Sequence, residues 1–90
     1  MNPLLIRNGC IIDGTGNPWY KADLLVENGR IQKRCPSICE EVATSIDASN
    51  RVVSPGFIDA HAHSDIYLLV NPRGESMIRQ GVTTQVCGNC

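Results

Sequence analysis

Twice in its first third the chain sets an Asn-Gly pair between two β-prone runs. Leu4-Leu5-Ile6-Arg7-Asn8-Gly9-Cys10-Ile11 is echoed by Leu24-Leu25-Val26-Glu27-Asn28-Gly29-Arg30-Ile31. Asn-Gly tolerates positive φ at both central positions of a type I′ turn, so each pair predicts a tight hairpin. The expected strands lie near 4–7 and 10–13, then 22–27 and 30–34. Asp13-Gly14-Thr15-Gly16-Asn17-Pro18 reads as the loop between the hairpins. Pro36 ends the preceding strand, and short strands near 44–47 and 51–54 follow. Two copies do not make a solenoid; the simplest outcome for this half is a small antiparallel sheet.

The pattern changes at Ser54-Pro55-Gly56. Phe57 to His63 reads as a strand running into a polar site, and Tyr67-Leu68-Leu69-Val70 as an apolar connection. Asn71-Pro72 predicts a helix start, with Asn as N-cap and Pro at the first helical position. Gly74, Met77 and Ile78 fall on one helical face, and Gly81 stands where a C-terminal glycine belongs. Val82 to Val86 is short and β-branched, a second strand. Residues 57–86 are therefore expected to form one β-α-β unit, hence a parallel pair of strands.

Composition and length narrow the function. The 90 residues are 42% hydrophobic and 19% charged with a net charge of −1, the balance of a globular chain. That charge gives no reason to expect nucleic acid or an anionic membrane as partner. No apolar run approaches the roughly 18–20 residues of a membrane-spanning helix. The opening Met1-Asn2-Pro3-Leu4-Leu5-Ile6-Arg7 lacks the features of a secretory signal, so the cytoplasm is the expected compartment. A complete (β/α)8 barrel needs about 200–250 residues or more, so the chain is expected to be part of a longer protein. Five cysteines, Cys10, Cys35, Cys39, Cys87 and Cys90, argue for metal binding or buried thiols rather than a disulfide framework.

The two histidines form His61-Ala62-His63. On a strand, positions i and i+2 share a face, so two imidazoles would project side by side. Neutral imidazole is a common ligand for divalent transition metals, and two supply half of a tetrahedral zinc shell; the alternative is two neighbours by accident. The end of the first parallel strand is where α/β folds place their sites. Cys90, just past the second strand, is a candidate thiolate for the same ion, or else a buried free cysteine. Asp59 alternates onto the face of the histidines, either to orient one of them or as a hydrogen-bonded carboxylate. Asp65 either reaches the site or stays solvated. A rival set, Cys35-x3-Cys39 with Cys87-x2-Cys90, could make a four-thiolate site, although 47 residues separate the pairs against the usual 15–20 or so.

Pro55-Gly56-Phe57-Ile58-Asp59-Ala60-His61-Ala62-His63 resembles the first-strand signature of the amidohydrolase superfamily. The opening Leu4–Gly16 segment resembles the first strands of the small β-sandwich many members carry. Gln80-Gly81-Val82-Thr83-Thr84 with Gly88-Asn89-Cys90 is similar to the N-acyl-D-amino-acid deacylases. The resemblance implies a mixed β plus α/β fold: residues 1–54 as part of a β-sandwich, and 55–90 as the first β-α-β unit of a metal-dependent (β/α)8 barrel. It implies His61, His63 and Cys90 as zinc ligands, with one tight position and room for a second, weaker one. It implies a small-molecule N-acyl amino acid as substrate, and no catalytic acid or base within these residues. Cys10, Cys35, Cys39 and Cys87 match no functional position. Two other readings stay open: an amidohydrolase acting on cyclic amides, and a non-enzymatic cysteine-rich zinc module.

Overall fold

The computed structural model of the protein describes residues 2–88. The chain divides into two compact units, one up to Pro55 and one from Gly56 onward.

In the first unit, β1 (Leu4–Ile11), β2 (Tyr20–Glu27), β3 (Arg30–Cys35) and β4 (Thr44–Asp47) form a sheet in the order β3-β2-β1-β4. A short β5 (Val52–Val53) also pairs with β1. The second Asn-Gly pair makes the expected hairpin: Asn28 and Gly29 have φ of 54° and 73°, and β2 runs antiparallel into β3. The first does not. β1 continues straight through Asn8-Gly9, and the register against β2 shifts between Ile6 and Gly9.

The Asn8-Gly9 pair is a β-bulge, and its cause lies fifteen residues away. Asn8 takes φ 63°, and its N–H, lifted out of the ladder, donates to the Asp23 carboxylate at 2.8 Å. The inserted residue inverts the alternation of side chains along β1. Leu5 packs with Leu25 and Ile38 on one face, whereas Ile6 and Ile11, five residues apart, both meet Ala22 and Leu24 on the other. Gly9 leaves room for β5, since a Cβ there would stand 2.8 Å from Val53 Cγ2.

The sheet is mixed, not antiparallel: β4 and β5 both run parallel to β1. β3 already has the direction of β1, so the chain must cross the sheet before adding a strand on β1's far side. Residues 36–43 make that crossing, and Ile38 inserts against Leu5 and Leu25. Asp23, buried among them, also accepts the Ile38 N–H at 3.0 Å, and Arg7 Nη1 lies 3.7 Å from it while donating to the Ile38 carbonyl. The Asn8 N–H above all, then the Ile38 N–H and the Arg7 charge, hold the Asp23 carboxyl below the usual range against the opposing effect of burial.

The second unit is the expected β-α-β arrangement with different boundaries. β6 (Phe57–Asp59) and β7 (Val82–Gln85) pair in parallel. Between them lie α1 (Asp65–Val70) and α2 (Glu75–Ile78). The expected apolar connection is thus part of a helix, and the expected helix start is a helix end. Asn71 caps the C-terminus of α1, donating its N–H to the Tyr67 carbonyl at 2.8 Å. Pro72 keeps Asn71 out of the α region. Gly74, at φ 54°, then separates the two helices. Gly81 closes the turn into β7 at φ 85°. Among the described residues no helix is long and apolar enough to cross a membrane.

Candidate metal centre

β6 ends at Asp59, so the histidines sit on a bend just beyond the strand rather than on it. They converge nevertheless. The Nε2 atoms of His61 and His63 are 3.1 Å apart and the ring centroids 4.9 Å, with the planes tilted by 56°. Four hydrogen bonds hold the segment in place of regular strand pairing. The Asp59 carboxylate accepts the His61 N–H at 3.1 Å. Ala62, buried between the two exposed imidazoles, donates its N–H to the Val86 carbonyl at 2.9 Å, and the Val86 N–H returns to the Asp59 carbonyl at 2.8 Å. Beyond His63, the Ser64 hydroxyl donates to Gln85 Oε1 and lies 3.5 Å from Cys87 Sγ.

This geometry suits a cation. Two nitrogens bound to one zinc ion at about 2.0–2.1 Å and a tetrahedral angle lie about 3.3 Å apart. The His61–His63 spacing matches that edge, and the rings open onto a shallow depression lined also by Asp59, Tyr67, Met77 and Gln85.

Of the other predicted site residues, Asp59 lies beside the pair and accepts the main-chain N–H of His61. Asp65 is the first residue of α1. Cys90 lies outside the described residues. Cys10, Cys35, Cys39 and Cys87 are free thiols, and no group of three or more His, Cys, Asp or Glu stands ready for a metal among the described residues. Sequence reasoning missed Ser64 and Gln85. Neither type is diagnostic alone, and 21 residues separate them.

Residues 44–90 match the Amidohydrolase family. The D-aminoacylase of Alcaligenes xylosoxydans xylosoxydans is 45% identical over 87 residues, covering 97% of this chain and 18% of that protein. The N-acyl-D-glutamate deacylase of Bordetella bronchiseptica, solved with zinc and a phosphonate mimic of the tetrahedral intermediate, superimposes with a TM-score of 0.91. It is 42% identical over 99% of this chain and 19% of its own. A D-aminoacylase with a binuclear metal centre gives 0.90 at 42% identity over 97% of this chain and 18% of its own. The chain therefore spans about a fifth of the length of these relatives. Its mixed β plus α/β fold is that of their N-terminal region, and the chain belongs to the amidohydrolase family.

Proposed function

We propose that the protein carrying this chain is a cytoplasmic zinc-dependent hydrolase that cleaves the amide bond of N-acyl-D-amino acids. The observation that carries the reading is the His61–His63 pair, two imidazole nitrogens 3.1 Å apart just past the first parallel strand. The likeness to D-aminoacylase supports the substrate class, and it favours that class over cyclic amides. In this reading residues 1–54 contribute to a β-sandwich and 55–90 begin a (β/α)8 barrel.

His61 and His63 would hold the ion through their imidazole nitrogens, and Cys90 would supply a thiolate to the tight position. A zinc ion there supplies Lewis acidity towards the amide carbonyl and acidifies water. The hydrogen bonds at His61, Ala62 and Ser64 restrain the segment that carries the two rings before any ligand arrives. Proton transfer from water to the leaving amine requires a positioned general acid–base group, here expected to be a carboxylate, and none is assigned within these 90 residues. The isolated chain is therefore expected to be inactive.

The test is made in the complete protein. Cys90→Ala is expected to lose tight zinc and nearly all deacylation of N-acetyl-D-amino acids, while Cys10→Ala keeps both. Equal activity in the two variants refutes the ligand assignment. Faster turnover of hydantoins or dihydroorotate than of N-acetyl-D-amino acids refutes the substrate class.

A further inference from the structure

We infer that Ser64 and Gln85 are a positioning pair for the histidines, fixing the metal-binding geometry without themselves touching the ion. The inference rests on the metal reading above and adds two residues to it.

Ser64 occupies the N-cap of α1, and its carbonyl accepts the Leu68 N–H at 2.8 Å. A serine at that position ordinarily turns its hydroxyl back onto the first turn of its own helix, a contact that stabilises a helix by about 1 kcal/mol. Here the hydroxyl makes no such cap. It donates instead to Gln85 Oε1, on the last residue of β7, and the Ser64 Oγ also lies 3.5 Å from Cys87 Sγ. Ser64 is buried although both histidines before it are exposed.

The location of this link gives it a role. β6 has ended at Asp59, so the ladder no longer dictates where His61 and His63 point. Ala62 is held to Val86 from between them. That bond and the His61 N–H to Asp59 contact both lie on the near side of His63 and do not by themselves fix how His63 turns about Ala62 relative to His61. The Ser64–Gln85 link restrains the far side of His63 and removes that freedom. A side chain that orients a metal ligand in this way contributes to affinity through geometry, and loss of such partners typically weakens binding by about 10–100-fold.

The experiment measures zinc affinity by competition with a chromophoric chelator, and the visible absorption of the cobalt(II)-substituted form, in the complete protein. Ser64→Ala and Gln85→Met are each expected to weaken zinc binding about tenfold and to alter the cobalt spectrum, with the circular dichroism unchanged. The double variant should be no weaker than either single one, because both break the same link. Ser64→Thr, which keeps the hydroxyl, should restore affinity and spectrum. Unchanged affinity and spectrum in both single variants, while His61→Ala and His63→Ala abolish binding, overturns the positioning role and leaves the metal reading standing. Full zinc affinity in His61→Ala and His63→Ala overturns the metal reading itself. Should Ser64→Ala fail to fold, Gln85→Met, at a partly exposed position, decides alone.

Discussion

The two units put their apolar residues to opposite use. Up to Pro55, the sheet has packed cores on both faces: Leu5, Leu25 and Ile38 on one, Ile11, Ala22 and Leu24 on the other. Its one buried carboxylate has every partner it needs. From Gly56 on, the described burial falls on small residues such as Ala62, Ser64 and Gly74, while Phe57, Ile58, Ile66, Leu69 and Val70 are exposed, Leu69 by 83%. Two strands and two short helices cannot enclose those side chains. The first unit contains the means of its own stability. The second holds its histidine pair by hydrogen bonds and leaves apolar side chains exposed.

That contrast can be broken, and the largest effect should come from the first core. Leu5 is fully buried, and Leu5→Ala is expected to cost about 3 kcal/mol in urea unfolding of the chain. A loss below about 1 kcal/mol, typical of a surface site, would show that this core does not carry the stability. In the second unit the tightest contact is backbone against side chain. A Cβ on Gly56 would lie 2.0 Å from Thr83 Oγ1, so Gly56→Ala should cost about 2 kcal/mol by forcing β6 off β7. Pairing Gly56→Ala with Thr83→Ala should recover most of it, and a single variant that melts like the parent would refute the close approach.

Next comes Asp23. Its folded-state pKa lies below its unfolded one, so its contribution is present above the ordinary carboxylate range and is lost as pH falls through the folded value. Asp23→Asn should lower stability at pH 7 by about 1–2 kcal/mol and flatten the acid limb of stability against pH below about 4. An unchanged acid limb would mean that other groups govern it. The smallest effect belongs to Leu69→Ser, within about 0.5 kcal/mol in the isolated chain, with improved solubility. In the complete protein the same change should destabilise clearly; equal tolerance in both would argue that no further chain covers α1.

The two Asn-Gly pairs show how far sequence reading reaches. At Asn28-Gly29 the turn is decided by the two residues themselves, so the hairpin was legible. At Asn8-Gly9 the same dipeptide became a bulge, because Asp23 captured the Asn8 N–H and β4 and β5 occupied the strand's far side. No local signal carries those partners. The helix boundaries slipped for a related reason: Asn71-Pro72 can begin one helix or end another, and Ser64 had already begun α1. His61 and His63 could be paired because they are two residues apart and face one way with or without a strand. The Ser64–Gln85 link depends on the return of β7 beside β6, which only the fold supplies.

The extra residue in β1 also sets where this chain can change length. Removing Asn8 would leave Ile11 on the face of Ile6, now four residues away by simple alternation, but would take from the buried Asp23 carboxylate the N–H it accepts. Inserting one residue more would turn Ile11 towards the side that Leu5 occupies, exchanging inside for outside along the remainder of the strand. The Asp13–Pro18 loop, exposed and outside the sheet, has no such phase to keep. Insertions and deletions should therefore accumulate in that loop, while the residue count between Leu5 and Ile11 stays fixed.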